Sequence, residues 1–348
     1  MRIGQPIVDS TGRVMLQRGT QLEGHYIKYL QDHGINSILI QDGEEEPPEV
    51  ELSEKAKRAV ELTRVDDPSK VTLREDVKKR VGEGVKFLFD NTSAGGFTEA
   101  ANNVADELTR AITKYDAVAI DISILKVSDE YTFKHSVDVA SLSMIIGKKY
   151  GLNRDEVREL GIAGLLHDVG KSQIEPEILN KPAKLTDEEF HKMKYHSLYG
   201  YKILEKSKDF SNAIMSGVLQ HHEKMNGMGY PMAIKGDKIH PFARIISVAD
   251  VFDALVTERP YKKAFSKRDA IEIIMTMTDD LDMKAMKSFL TTVVLYPVDS
   301  IVKLSNGEYA KVVENNFEHP LRPKVVATES GNIYDLNNDV KCQSIVIL

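Results

Sequence analysis

The spacing of apolar residues changes three times along the chain, and each regime predicts a different kind of element. Residues 1–45 combine short alternating stretches, "RIGQPIVDSTGRVMLQRGTQL" and "INSILIQDG", with one amphipathic stretch, "GHYIKYLQDHG", whose apolar positions are Tyr26, Ile27, Tyr29 and Leu30. Alternation predicts strands and helical spacing predicts a helix, so this part reads as a small α/β module. Residues 46–94 are rich in charge, begin with Pro47 and Pro48, and become weakly helical in pattern after Ser53. That is the pattern of a charged, partly helical linker. From 95 to 292 apolar residues recur at i, i+3 and i+4 in one segment after another, which predicts an all-α domain. Residues 293–348 alternate again, in "DSIVKLSNGEYAKVVENN" and "PKVVATESGNIYDL", around two hairpin-type turns, Asn306-Gly307 and Gly331-Asn332. The expected fold class is mainly α, with a small β-rich C-terminal extension.

Helix starts in the α domain are marked. "NRDE" (Asn153 to Glu156) and "TDEE" (Thr186 to Glu189) are capping-box patterns. The first predicts a helix through Val157, Leu160 and Leu166 that ends in His167 and Asp168, with Gly170 suited to terminating it. The second predicts a helix through Phe190, Met193 and Tyr195 that carries His196. "SNAIMSGVLQHHE" predicts a third, ending in His221 and His222. "ARIISVADVFDALVTE" predicts a fourth with Asp250 in its middle, and "TFKHSVDVASLSMIIGKKY" a fifth with His135 near its start.

Composition narrows the function classes. The 348 residues are 42% hydrophobic and 28% charged, an ordinary globular balance. A net charge of -7 gives no bulk attraction for nucleic acid polymers or anionic membranes. One cysteine, Cys342, excludes an internal disulfide framework, and nothing resembles a signal peptide or an apolar span of about 20 residues, so no membrane insertion and a cytoplasmic location are expected.

The intervals between the histidines and aspartates carry more information than any one of them. His135 and His167 are 32 residues apart, Asp168 and His196 28, His196 and His221 25, and His222 and Asp250 28. Each interval accommodates a helix and its return connection, so antiparallel neighbours can bring all seven side chains to one level of a bundle. Five imidazoles and two carboxylates exceed the needs of one ion and fit two ions that share a carboxylate, with water at the open positions. The remaining histidines, His25, His33, His191, His240 and His319, stand alone and are given no role.

"HDVGK" at 167–171, "HHEKMNGMGYP" at 221–231 and "ARIISVADVFDALVTERPYKKA" at 243–264 resemble the HD-GYP family, a branch of the HD phosphohydrolases, over residues 130–290. Gly229, Tyr230 and Pro231 supply the second half of the family name. The resemblance implies a metal-dependent phosphodiesterase that opens cyclic di-GMP, built on a five-helix HD-type bundle, with iron or manganese as the usual metal. It gives His135, His167, Asp168 and Asp250 to one ion and Asp168, His196, His221 and His222 to the other, with Asp168 bridging. Some members hold a third metal through a glutamate four residues before the first histidine. Here that position is Tyr131, and Glu130 is one residue out of register, which favours two metals over three.

The chemistry implied is hydrolysis of a phosphodiester by hydroxide formed between two cations, giving linear pGpG, with GMP as a further product. Lys171, three residues after Asp168, is expected to contact phosphate first, or to protonate the departing ribose oxygen. The resemblance makes Arg259 and Lys262 ligand-binding cations, and Asp253, one turn after Asp250, a residue that holds Lys171 or a ligand imidazole in place. Gly227 and Gly229 with Pro231 are expected to form a tight loop that brings backbone to substrate, with Gly229, Tyr230 and Pro231 as substrate-binding residues. In this loop Met225 and Asn226 stand where the family commonly has an aromatic residue and an aspartate, an exchange expected to loosen the loop or alter guanine contacts. Two alternatives stay open: a phosphodiesterase for another cyclic dinucleotide, and a receptor that binds cyclic di-GMP without cleaving it and signals through a partner, such as a diguanylate cyclase. A homodimer is expected.

Overall fold

The computed structural model describes residues 2–3, 7–8, 14–16, 26, 30, 40–41, 50–67, 70–71, 75–93, 95–113, 119–121, 131–181, 183–257 and 264–348. The chain divides into two units, Met1–Glu51 and Leu52–Leu348. The first contains strands β1 (Arg2–Ile3), β2 (Ile7–Val8), β3 (Val14–Leu16) and β4 (Ile40–Gln41). β1 pairs with β4 and β2 with β3, both antiparallel. Tyr26 and Leu30 are helical and Leu30 is buried, so the unit mixes α and β.

The second unit opens with α1 (Glu54–Thr63), whose first turn is closed by the Ser53 hydroxyl accepting from the Ala56 N–H at 3.1 Å. Ala56 and Val60 of α1 bury against Val313 and Val326 near the other end of the chain. β5 (Lys70–Val71) is followed by α2 (Glu75–Asp90) and α3 (Phe97–Thr113). Val81, Val85 and Leu88 of α2 lie in the main core with Ala101, Ala105 and Leu108 of α3, so the charge-rich stretch 46–94 read as a linker carries two packed helices, α1 against Val313 and Val326 and α2 in the main core. In α2 the charges Lys79, Arg80, Glu83 and Lys86 lie on the exposed face, while Lys78 is buried.

After β6 (Ala119–Asp121) comes α4 (Tyr131–Tyr150), which is buried continuously from His135 to Gly147. A helix buried on every side needs small residues where its neighbours cross, and α4 supplies Ser136, Ala140, Ser141 and Ser143. Around it are α5 (Arg154–Leu166), a 3₁₀ turn over Val169–Gln173, α6 (Pro176–Leu179), α7 (Asp187–Met193), α8 (His196–Ser207), α9 (Asn212–Gln220), α10 (Pro241–Val256), α11 (Lys267–Thr276) and α12 (Met283–Leu290). Both capping boxes are formed, at Asn153/Glu156 and at Thr186/Glu189.

One element departs from the all-α expectation for 95–292. β6 lies inside that range and pairs in parallel with β5 and with β7 (Val293–Val294). A three-residue strand whose partners lie far away in sequence leaves no local period to read. The chain closes with β8 (Ile301–Lys303), β9 (Tyr309–Glu314), β10 (Lys324–Ala327) and β11 (Ile333–Asp335), an antiparallel meander in chain order. Its hairpin turns hold Gly307 at φ 90° and Gly331 at φ 66°, the left-handed region that favours glycine.

Arg322 ties this sheet to the C-terminal coil. Its Nε donates to Leu336 O at 2.8 Å, Nη1 to Ile345 O at 2.7 Å and Nη2 to Cys342 O at 3.0 Å. Arg322→Ala leaves those carbonyls without their cation, and hydrogen bonds from charged groups are each worth about 1.5–3 kcal/mol. The variant is expected to unfold at a urea concentration lower by an amount equivalent to at least about 2 kcal/mol, followed by circular dichroism.

Candidate metal centre

Close helix approaches bring the histidines together. At Gly164 of α5 an added Cβ would lie 2.7 Å from the Cα of Ala140, so α4 and α5 cross backbone to backbone one turn from His135 and His167. Gly170 was expected to end a helix, but its work is different. A Cβ there would lie 1.9 Å from His196 O, so the turn after Asp168 sits directly on the start of α8.

The second capping box does not carry its helix through to His196. α7 ends at Met193, Lys194 and Tyr195 form a turn, and His196 begins α8, buried to 1%. This break aims His196 inward, where a continuous amphipathic helix would have kept the exposed and buried faces in one register. His167 caps the C-terminus of α5 and His221 that of α9, one residue beyond the last helical position in each case.

All seven residues meet. Asp168, His196, His221 and His222 form one group and His135, His167 and Asp250 another, and within each the ligand-type atoms lie within 4.8 Å of one another. Asp168 faces both: its Oδ1 is 3.4 Å from His196 Nε2, and its Oδ2 is 3.3 Å from His167 Nε2 and 3.7 Å from His135 Nε2. Asp168 Oδ1 is buried without a hydrogen-bond partner among the described residues.

Hydrogen bonding fixes which ring nitrogen is free. Nδ1 of His167, His196 and His221 lies 2.7, 2.8 and 2.7 Å from the carbonyl oxygens of Gly164, Met193 and Val218. A carbonyl only accepts, so each Nδ1 carries the hydrogen and each Nε2 offers a lone pair to the interior. The Nε2 atoms of His196 and His221 are 3.3 Å apart. Two facing lone pairs need a cation beside them. Burial holds His196 down at about 4, His222 at about 3 and His221 well below the usual imidazole range, so protons do not serve. Imidazole and carboxylate donors in these numbers suit a divalent cation in each group.

His135 differs. Burial alone would lower its pKa, but Asp250 at 3.2 Å from Nε2 and Asp253 at 2.6 Å from Nδ1 hold it at about 10. Burial opposes ionisation of Asp250 and Asp168 as well. His135 outweighs it at Asp250 and Lys171 with His167 at Asp168, leaving both carboxylates ionised well below their usual range. A group held at about 10 keeps its proton at pH 7–8, and a cation that takes His135 Nε2 must expel it. Metal loading at pH 7.5 is therefore expected to release about one proton per chain from this site, with apparent affinity rising from pH 7 to 9. Calorimetric titration with manganese in buffers of different ionisation enthalpy measures it.

Other expected residues are placed as follows. Lys171 Nζ is 2.5 Å from Asp168 Oδ2. Asp253 holds His135 and not Lys171, and is buried to 2%. The Tyr230 ring lies 4.6 Å from the His222 ring and 6.3 Å from the His196 ring, walling the cluster. At Gly229 a Cβ would lie 2.4 Å from Lys224 N and 2.5 Å from His222 O, so only glycine fits where the loop folds back on the His-His pair. The peptide before Pro231 is cis. Arg259, Lys262 and Glu130 lie outside the described residues, as do His25 and His33. His191 is exposed, His240 caps α10, and His319 is exposed on the C-terminal module.

Two features were missed in the sequence. Glu223, buried to 3%, accepts from Met232 N at 2.7 Å and Ile234 N at 3.1 Å, and so closes the loop that carries Tyr230. A carboxylate directly after two inward histidines was the available signal. Asp138, buried to 3% one turn after His135, is pushed up to about 7 by burial and by Asp253, against Lys78, Lys134 and His135.

Asn226 also needs correction, because its loop is anchored, not loosened. Its Nδ2 donates to Asp280 Oδ1 at 2.7 Å while its Oδ1 accepts from Met228 N at 2.8 Å, and Lys224 takes the other Asp280 oxygen at 2.7 Å. An aspartate at 226 would face Asp280 as a like charge. Asn226→Asp is expected to lower the melting temperature, and Asp280→Asn to recover most of that loss in the double variant, a coupling of about 1 kcal/mol measured by a double-mutant cycle.

The comparisons agree with this geometry. The HD domain family model matches residues 120–285. The chain is 31% identical over 309 residues to the cyclic di-GMP phosphodiesterase PA4108 of Pseudomonas aeruginosa, covering 86% of this chain and 75% of the relative. The chain belongs to the HD-GYP family. It is also 32% identical over 224 residues to the cyclic di-GMP phosphodiesterase PdeB of Borreliella burgdorferi, covering 64% of this chain and 59% of that protein. Over 152 residues it is 39% identical to a 3'3'-cGAMP-specific phosphodiesterase of Vibrio cholerae, covering 43% and 33%. HD domains are phosphohydrolases that bind divalent metals, and the chain is an enzyme of that class with a buried His/Asp cluster able to hold them. Among the described residues no helix is long and apolar enough to cross a membrane.

Proposed function

We propose that this chain hydrolyses cyclic di-GMP to linear pGpG at the cluster centred on Asp168. The observation that carries the reading is one carboxylate facing two groups of imidazoles, with a buried oxygen that has no hydrogen-bond partner among the described residues and a lysine on its other oxygen. His135, His167 and Asp250 would hold one cation and His196, His221 and His222 the other, with Asp168 shared; iron or manganese suits the donors. Cations so held supply Lewis-acid polarisation of a phosphate oxygen and make water nucleophilic at neutral pH.

The chain's own groups do the rest. In hydrolysis a water oxygen bonds to phosphorus, the bond from phosphorus to the ribose O3' breaks, and O3' leaves with a proton. Lys171 reaches the site beside Asp168, where its ammonium pairs with a phosphate oxygen and can supply that proton. Asp253 fixes the His135 ring through Nδ1, and the three backbone carbonyls fix His167, His196 and His221. The Tyr230 ring packs on His222 and covers part of that side of the cluster. The 3'3'-cGAMP-specific relative supports a second reading, in which a mixed cyclic dinucleotide is preferred.

Turnover of a cyclic dinucleotide panel by anaerobically purified, metal-analysed protein tests both readings. Asp168→Ala is expected to lose metal and turnover together. Lys171→Ala is expected to keep its metal and lose about 100-fold in rate. Binding of cyclic di-GMP by fully metallated protein without any cleavage would replace the enzyme reading with that of a receptor.

A further inference from the structure

We propose that Lys194 binds the second phosphate of a cyclic dinucleotide, the one not under attack. The inference rests on the activity proposed above and adds a residue to it. Lys194 occupies the turn between α7 and α8, two residues before His196. Its Nζ lies 4.8 Å from the centroid of the Phe190 ring and 5.6 Å from that of Tyr230. Tyr230 is the ring that packs on His222 and His196. The ammonium is thereby held over the ring that walls the cluster, and Lys194 is not one of the candidate ligands.

Its neighbours are engaged elsewhere. Lys171 pairs with Asp168, Lys181 with Glu189, Lys192 with Glu175 and Lys224 with Asp280. Lys194 has aromatic faces under it and no carboxylate within ion-pair distance among the described residues. A cation that rests on two rings keeps its charge available and has less side-chain freedom to lose when an anion arrives.

A cyclic dinucleotide explains the need for it. Such a ligand brings two phosphodiester charges to one mouth. When one phosphate sits at Asp168 and Lys171, the other is held by the ring of the ligand a short distance away, and a cation resting on the aromatic wall adds to the ligand-binding cations expected at Arg259 and Lys262. Lys194 meets that second phosphate by a charge-assisted hydrogen bond, which a ligand with a single phosphate has no use for.

The test compares wild type, Lys194→Met and Lys194→Arg, all fully metallated. Stopped-flow binding of a fluorescently labelled cyclic di-GMP, steady-state turnover of cyclic di-GMP, and equilibrium dialysis of 3',5'-cyclic GMP are measured. Lys194→Met is expected to keep its metal content, to bind cyclic di-GMP about 10-fold more weakly with KM raised in proportion and kcat within about twofold, and to bind cyclic GMP as wild type does. Lys194→Arg is expected to recover the cyclic di-GMP affinity. Unchanged cyclic di-GMP binding in Lys194→Met, or an equal loss for both ligands, would overturn the assignment. Wild type that binds cyclic di-GMP but never cleaves it would overturn the activity alone, with Lys194 still judged by the binding arm.

Discussion

The molecule is organised around nitrogen lone pairs that have nowhere to go. Once the Nδ1 hydrogens of His167, His196 and His221 are committed to backbone carbonyls, their Nε2 atoms must face one another in a place from which water is largely excluded. Burying unpaired polar groups costs free energy, and a pair of acceptors 3.3 Å apart adds repulsion. Without a cation the cluster is a locus of stored conflict inside an otherwise well-packed bundle. Binding a cation there would stabilise the fold and prepare the chemistry at once, because both use the same lone pairs.

The backbone is shaped to create this conflict. The bundle uses helix ends rather than helix middles for most of the cluster: His167 and His221 are C-caps, His196 opens α8, and Asp168 starts a 3₁₀ turn. An end offers something a middle cannot, since carbonyls three residues back are free of helical partners and can orient an imidazole. His167, His196 and His221 each accept this service from the residue three before them. Glycines then let the ends converge. Gly164 and Gly170 admit backbone where any side chain would push the elements apart, and Gly229 does the same for the loop that bears Tyr230.

Much of the site was legible in the sequence because it is a matter of residue type and interval. The two adjacent pairs, His167-Asp168 and His221-His222, with His135, His196 and Asp250 at helix-and-return spacings, pointed to a shared centre, and the structure brings all seven together. The capping boxes and the two hairpin glycines were equally readable, since each is a local rule. What escaped depends on contacts between distant segments. The parallel pairing of β6 with β5 and β7, the packing of α1 on the C-terminal sheet, and the break before His196 leave no local period. For Asp253 the sequence left Lys171 and a ligand imidazole as candidate partners, and the choice of His135, on another helix, depends on packing.

The loop after the His-His pair illustrates how one exchange is absorbed by another. With Asn226 in place of the family's common aspartate, a loss of order was the natural expectation. Asp280, from the connection between α11 and α12, supplies the missing negative charge from the opposite side. The amide then donates where a carboxylate would repel, and Lys224 completes the neutralisation of Asp280. The two hydrogen bonds of Asn226 fix the turn on either side of Gly227 and Met228. Glu223 anchors the far end of the loop through Met232 and Ile234. Tyr230 is therefore held from two directions, which keeps its ring against His222 and gives Lys194 a stationary face to rest upon. Loss of either anchor would release the wall and the cation together, so loop order and ligand recognition are coupled through a single ring.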